Sequence, residues 1–323
     1  MRWQNLRNLS IHISAVIAIS TNLIIFLLIR NHSPKSLGSY RYLMKSMAVF
    51  GLFYAILDLF LMTDHVSKDS GYLIFIDYKN MPFPNAVLPF FHLLYWASYG
   101  TSLGIFGAHF VFRYLILSGH TYWTAPRPSR VSVWLITPLI FGFIHSFSSW
   151  LFLGSSEATR RFMKEVVLNG SDRAPEEFHY IGPYFRPKNS DGEEYLNWMS
   201  IDGVIPISII ILISCSVMLF SGAKCYFQIR DLVVKSTRSA KFRAVEVQLF
   251  SALVLQTIIP LCLMHIPCSI IITSCFFNCS FETLGRVFCI TIAMFPALDP
   301  LPNMLVIHSY RKALLSKFRA SNI

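Results

Sequence analysis

This sequence predicts an all-α integral membrane protein, a single bundle of seven membrane-crossing helices. Three observations predict it. Apolar stretches recur near residues 9–29, 40–62, 88–116, 131–154, 202–227, 246–272 and 284–307. Each runs for about 20–30 residues, and at about 1.5 Å per residue that length crosses a hydrocarbon core of about 30 Å. Hydrophobic residues make up 54% of the 323, and the connections are mostly too short for a second globular unit. Residues 1–323 therefore read as one domain.

Charge supplies a direction. The net charge of +11 falls beside the membrane rather than on nucleic acid, because the basic residues are split among span flanks and no nucleic-acid motif joins them. Alternate connections carry Arg30, Lys35 and Arg41, then Arg127 and Arg130. The next two carry Arg230, Lys235, Arg238, Lys241 and Arg243, then Arg311, Lys312, Lys317 and Arg319. Asp231 is the single acid among them. The acids collect instead in two long connections, 63–87 and 155–200. Short basic segments are the ones the positive-inside rule counts, so the N-terminus is expected outside and the C-terminus inside. The inverted bundle is the competing arrangement.

The spans can be justified in order. Thr21, Asn22 and Leu23–Ile29 continue the first run past where a cleaved leader would end, so this helix is expected to be retained. Asn22 needs amide partners within an apolar run and is expected to face a neighbouring helix. The second span carries Asp58, costly at that depth unless paired or hydrated, and expected near an outer pocket. The connection that follows, with Pro82 and Pro84, reads as an ordered outer loop. The third span places Tyr95, Trp96 and Tyr99 in its outer part and Gly100, Gly104 and Gly107 where neighbours can approach closely. It ends in His109-Phe-Val-Phe-Arg113-Tyr114, with Arg113 either meeting a partner or snorkelling.

Trp134 and Trp150 bracket the fourth span as interfacial aromatics, and His145 lies in its outer half. The large outer loop, 155–200, is polar; Asn169-Gly-Ser171 within it is a glycosylation acceptor pattern. The fifth span leads into a basic cytoplasmic loop, 229–243, suited to anionic lipid or to an acidic partner. Pro260 and Pro267 in the sixth span, beside Gln256 and His265, predict a movable bend. The seventh ends Phe295-Pro-Ala-Leu-Asp299-Pro300, an irregular polar helix with Asn22 or Arg113 as candidate partners for Asp299. Residues 308–323 form a short tail, read as an amphipathic helix on the inner leaflet with Leu314, Leu315 and Phe318 on its apolar side.

The seven cysteines all lie at or beyond Cys215, so no disulfide can tie the 155–200 loop to the third span. Cys275 and Cys279 flank a short outer turn, where a pair and two free thiols both stay open. No ligand spacing suggests zinc, and no nucleophile–base spacing or cofactor motif suggests an enzyme.

Taken together, Leu37-Gly-Ser-Tyr-Arg-Tyr-Leu-Met44, Tyr54-Ala-Ile-Leu-Asp58, Gly107-Ala-His-Phe-Val-Phe-Arg-Tyr114, Gln248–Thr257 with Ile259-Pro260, and Phe295–Pro300 followed by Tyr310-Arg311 resemble the nematode seven-transmembrane chemoreceptors. The resemblance is to their Str class, which includes the diacetyl odorant receptor, and it spans nearly the whole chain. It implies a G-protein-coupled receptor in the plasma membrane, at ciliary endings of chemosensory neurons. The expected partners are a small environmental molecule, membrane lipid and a heterotrimeric G protein, and a receptor oligomer is compatible with the sequence. The residues assigned to the ligand pocket are Asp58, Tyr95, Trp96, Tyr99, His145 and His265. Those assigned to coupling are His109, Arg113, Tyr114, Arg230, Lys235, Arg238, Lys241, Arg243, Asp299, Pro300, Tyr310 and Arg311. No acid precedes Arg113, so an adjacent acid–Arg lock is absent. A ligand-gated channel subunit of inverted topology and a small-solute transporter are the rival functions; neither repeats nor a pore-facing polar stripe support them. The ligand itself is open between odorant, pheromone and peptide.

Overall fold

The computed structural model describes residues 2–34, 37–81, 84–189, 192–235 and 239–321, with the side chains of Arg2, Asn80, Lys235 and residues 317–321 outside the description. Among these residues, seven helices are long and apolar enough to cross a membrane. They are α1 (Arg2–His32), α2 (Tyr40–Leu61), α3 (Leu88–Leu117), α4 (Pro128–Phe152), α5 (Trp198–Lys235), α6 (Ala240–Phe276) and α7 (Glu282–Val306). A further helix, α8 (His308–Ser321), follows α7. The expected bundle is thus present, with several helices running beyond their apolar stretches into polar flanks.

The third helix is the centre. It is the most buried span, packed on one side against α4 and on the other against α5. Small residues set the α3–α4 distance. A Cβ added at Gly100 would fall 2.8 Å from the Phe141 carbonyl oxygen, and one at Gly104 would fall 2.7 Å from the Pro138 Cα. Gly107 faces the other way, where the Ser214 hydroxyl is an ordinary 3.7 Å from the same added atom. Gly51 of α2 plays a similar part for α1. It leaves room for buried Asn22, whose amide donates to the Ala18 carbonyl at 2.9 Å and to the Pro296 carbonyl of α7 at 2.8 Å.

Two helices are irregular where proline removes a backbone donor. In α6 a π turn, Leu261–His265, begins directly after Pro260 and Ile266–Phe276 continues beyond it; such turns accommodate a residue that the i→i−4 ladder cannot hold. In α7 the helix is interrupted at Asp299-Pro300 before Leu301–Val306.

Beyond the helices, one end of the bundle carries a three-stranded antiparallel sheet. Its strands are β1 (Asp64–Lys68), β2 (Gly71–Asp77) and β3 (Phe178–Ile181), in the order β1-β2-β3. A two-residue turn at Asp69 and Ser70 joins β1 to β2, with Asp69 in the left-handed region at φ 50°, as tight hairpins require. The long loop expected at 155–200 therefore has more structure than its polarity suggests. Its helix Glu157–Phe162 is capped by Ser156, and its apolar residues Phe162, Met163, Leu168, Phe178 and Tyr180 bury against Leu73. β2 lies between two cores because its side chains alternate: Tyr72, Ile74 and Ile76 join the bundle core, Leu73 and Phe75 the lobe core.

At the opposite end, α8 does more than lie along the helix ends. Tyr310 is fully buried, its hydroxyl 2.8 Å from the Ser33 hydroxyl of α1, and Ala313 and Leu314 join a cluster with Tyr40 and Phe112. Leu315 is exposed, and the Phe318 side chain lies outside the described residues. Pro82, similarly, is outside them. All seven cysteines are free; Cys275 is buried and Cys279 exposed.

Candidate functional site

At the sheet end a cavity of about 170 Å³ lies among α3, α4, α5, α6, α7 and the sheet. β2 and the segment after β3 roof it with Tyr72, Ile74 and Pro183; α3 contributes Tyr95, Trp96 and Tyr99; α4 contributes His145. Its α5 and α6 walls include Val204, Ile207, Ser208, Ile211, Cys268 and Ile272. Tyr95, Trp96 and Tyr99 reach it together because positions i, i+1 and i+4 of a helix share a broad face. His145 lies between the Trp96 and Tyr99 rings, at centroid distances of 5.6 and 5.3 Å.

The cavity is apolar in body and polar at a few points. The Trp96 indole N–H and His145 Nδ1 are buried beside it without a hydrogen-bond partner, while the Tyr95 ring turns toward Tyr54 and His65. A buried polar group without a partner costs free energy, and Trp96 and His145 both belong to the cavity lining. No charged side chain is among the described lining residues. This is the chemistry of a site for a small neutral molecule with hydrogen-bonding groups.

Tyr99 connects the cavity to the irregular part of α6. Its hydroxyl shares a hydrogen bond of 3.0 Å with Nδ1 of His265, the last residue of the π turn. His265 therefore stands behind Tyr99 rather than on the described cavity wall. Asp58 is also off that wall. It is buried at the end of α2, where its carboxylate accepts from the Thr63 hydroxyl at 3.4 Å and its carbonyl accepts from the Met62 N–H at 2.9 Å.

At the other end α3 meets α6 through a buried ion pair. Arg113 and Glu246 are each 1% exposed, and Nη2 of Arg113 donates to Oε2 of Glu246 at 2.5 Å. The guanidinium also lies 5.2 Å from the Tyr40 ring centre, and the Tyr40 hydroxyl shares a 3.1 Å hydrogen bond with His109 Nδ1. Hence His109 and Arg113, one turn apart on α3, grip the same α2 tyrosine. Arg113 is not a snorkelling anchor. Asp299 pairs with neither Asn22 nor Arg113. It faces α6, where its carboxylate accepts from Gln256 Nε2 at 2.9 Å, while the Gln256 oxygen accepts from Asn303 at 3.0 Å. Asn22 is already bonded to Pro296 and Arg113 to Glu246, leaving Gln256 as the donor within reach.

The remaining residues assigned to coupling differ in exposure. Tyr114 is half-buried, Pro300 and Tyr310 are buried, and Arg230 and Lys241 are exposed. Arg243 donates to the Val233 carbonyl of α5 at 3.2 Å, and Arg311 to the Leu305 carbonyl at 3.3 Å. Lys235 ends α5, with its side chain outside the description, and Arg238 lies outside the described residues altogether. Asn169 is exposed on a turn of the lobe, next to Gly170 at φ 74°.

Three functional candidates escaped the sequence reading. Glu246 opens the sixth apolar run, and an acid at a span boundary opposite an arginine in another span was the available signal. Tyr72 and Cys268 carried no such signal, since only the folded hairpin and the α6 bend bring them to the cavity.

Seven membrane-length helices, a small uncharged pocket at one end and a closed polar junction at the other give the architecture of the seven-helix membrane class. Comparison with known families gives the particular group: the family of serpentine-type seven-transmembrane GPCR chemoreceptors, Str, matches residues 7–315. The chain belongs to that family. It is 30% identical over 303 residues to the G-protein coupled receptor str-217 of Caenorhabditis elegans, covering 94% of this chain and 87% of the relative. It is 23% identical over 315 residues to the serpentine receptor class r-10 of the same organism, covering 97% and 91%. To the C. elegans G-protein coupled receptor str-33 it is 24% identical over 333 residues, covering 98% and 93%.

Proposed function

We propose that this protein is a chemosensory receptor that binds a small neutral molecule at the sheet end and activates a heterotrimeric G protein at the Arg113 end. The observation that carries the reading is the pairing of an apolar cavity lined by Trp96, Tyr99 and His145 with a closed α3–α6 ion pair at the opposite end. Tyr99 joins the two ends through His265, because that residue belongs to the π turn of the same helix that carries Glu246.

A guest that accepts a hydrogen bond from Trp96, or bonds His145, displaces Tyr99 and bends α6 at the π turn. Glu246 then leaves Arg113, and a groove opens between α3 and α6. The ligand acts only through its preference for this open arrangement; affinity shared equally between states shifts nothing. Small carbonyl compounds of the diacetyl kind meet the requirements of size, neutrality and acceptor atoms. The basic rim of Arg230, Lys241, Arg243 and Arg311 suits the acidic or amphipathic surface of a G protein and anionic lipid headgroups. The sheet end faces outward, because the short basic connections lie at the opposite end, and Asn169 is then a glycosylation acceptor. Membership in a chemoreceptor family supports a site of action in the ciliary membrane of sensory neurons.

The test is G-protein nucleotide exchange in cells expressing the receptor, driven by a panel of small ketones, esters and alcohols, with accessibility tags at both termini. Exchange in response to one chemical class, with the N-terminus outside, supports the reading. Ligand-gated current with the N-terminus inside would replace it with a channel.

A further inference from the structure

The cavity is sealed on every side but one. The roof and the α3 and α4 walls are buried: Tyr72, Ile74, Pro183, Tyr95, Trp96, Tyr99 and His145 all fall in the buried class. The exposed lining residues are Ser208 on α5 and Ser269 and Thr273 on α6. Ser208 and Thr273 also line a second hollow of about 350 Å³ on the flank of the bundle, with Ile201, Val204, Ile205 and Ile209 of α5, Ile272 and Phe276 of α6, and Phe185. Val204, Ser208, Ile272 and Thr273 line both hollows. They are therefore the wall common to both hollows.

The flank hollow opens toward lipid, not water. Ile205, Ile209 and Phe276 are 49%, 50% and 40% exposed, and apolar residues that stay exposed on a membrane-crossing helix are the ones that contact hydrocarbon. Ile205 and Ile209 lie about two to three helical turns below Trp198, the aromatic residue at the start of α5, which puts them beneath the interface. Helix α5 spends its packing on α3 and α4, so the last stretch of α6 stands away from it and leaves the gap.

We propose that this gap is a lateral portal, through which ligands enter the cavity from the bilayer rather than from the aqueous side. The proposal rests on the cavity being the ligand site. It narrows the ligand class to uncharged molecules that partition into membranes: an apolar body that fits the α5–α6 gap, led by a group able to bond Trp96 or His145. A larger member of this class would leave its apolar tail in the flank hollow, where Ile205 and Ile209 cover it. Charged and strongly hydrated molecules are excluded twice, by the hydrocarbon they must cross and by a wall without charge to receive them.

The experiment uses an uncharged, bilayer-partitioned phenyl diazirine as probe, photolysed in membranes containing the full-length receptor, with labelled sites mapped by mass spectrometry. The carbene inserts into whatever side chains the probe reaches. Phe143 and Phe147 of α4, both exposed, serve as lipid-facing controls on the same molecule. Labelling is expected at Phe143 and Phe147 and also at Tyr95, Trp96 and Tyr99, which are buried from the outer surface of the bundle. Ile205→Trp and Ile209→Trp plug the portal without entering the inner cavity, and each should remove most of the inner labelling while leaving the α4 labelling intact. Leu212→Trp, on a lipid-exposed position of α5 outside the portal, should change neither. Inner labelling that survives both plugs, or α4 labelling with none inside the wild-type cavity, overturns the portal. Neither result touches the receptor reading, because no G protein takes part in the measurement. Failure of the ligand panel, conversely, leaves the labelling pattern unaffected.

Discussion

The two ends of the bundle solve opposite problems, with α3 and α6 common to both. At the sheet end, α3, α5 and α6 surround an apolar space beneath a roof contributed by connecting segments. At the Arg113 end, α3, α6 and α7 meet with charged and amide groups joined: Arg113 to Glu246, and Gln256 to both Asp299 and Asn303. The first end leaves room within an apolar wall, and the second is closed by bonds between helices. In the proposed receptor cycle a guest occupies the first end, and the bonds of the second hold the empty protein shut.

Breaking the closed end should give the largest effect. Glu246→Ala leaves the Arg113 guanidinium buried without a counter-charge, and removing one partner of a buried pair typically costs about 3–5 kcal/mol. Thermal unfolding of the purified receptor should show that loss, and basal nucleotide exchange on a reconstituted G protein should rise. Glu246→Gln keeps the shape and separates the two effects. If exchange stays at the wild-type basal level in a variant that still folds, the ion pair is a packing feature and not a latch. A smaller loss is expected on the shared wall of both ends, where α3 meets α4. Gly142→Ala would place a Cβ 2.6 Å from the Ala97 carbonyl oxygen and 2.1 Å from the Thr101 hydroxyl. Thr101 can turn away but the backbone cannot, so overpacking of about 1–3 kcal/mol follows. A melting temperature equal to wild type would mean that the helices part more easily than their contact suggests.

The same contrast explains what was legible in the sequence. Spans were legible because hydrocarbon imposes length and apolarity on every residue window, and Tyr95, Trp96 and Tyr99 because bulky amphipathic side chains stand out beside Gly100. Asn22 was legible as a buried amide, since a polar group in an apolar run needs a partner somewhere. Partner identities were not. Asp299 finds Gln256 rather than Arg113 because the rotation of α7 about its own axis selects the facing helix, and that angle is written in packing rather than in spacing. The sheet was hidden for a related reason. β2, Gly71–Asp77, buries Tyr72 and Leu73 into different cores, so its period of two is masked by apolar residues on both faces.

Tyr99→Phe tests the connection between the ends. The change removes one hydroxyl, leaves His265 Nδ1 without its 3.0 Å partner, and should lower stability by about 0.5–1.5 kcal/mol. For any agonist from the panel, the maximal exchange rate should fall more than the apparent affinity, since the ring that lines the cavity remains. An affinity loss with undiminished maximal response would place Tyr99 in binding alone and move the connection elsewhere.

The smallest effect concerns the roof. His179 of β3 lies 2.8 Å from His92 at the start of α3, Nδ1 to Nδ1, and so ties the lobe to the bundle. Burial depresses the His179 imidazole to about 4, below its ordinary value of 6.5, and depresses His65 on β1 to about 3. Above that ordinary value both rings are neutral whether the lobe is docked or not, so their burial carries no protonation penalty. As pH falls through 6.5 toward 4, an undocked His179 takes up a proton that the docked one refuses, and docking weakens. Two acidic anchors respond differently. Burial would raise the Asp77 carboxyl, but the bidentate Arg173 bond holds it low, so this anchor survives into acid; burial raises Asp64 despite Arg7 beside it, so its protonation favours the docked state rather than opposing it. Hydrogen exchange of the β2 and β3 amides, corrected for intrinsic rate, should therefore show protection falling between about pH 7 and about pH 5, and His179→Gln should flatten most of that slope while His65 retains the remainder. An unchanged slope in His179→Gln would mean that the histidine pair is incidental and that the lobe is held by the Asp77–Arg173 bond and its own apolar core.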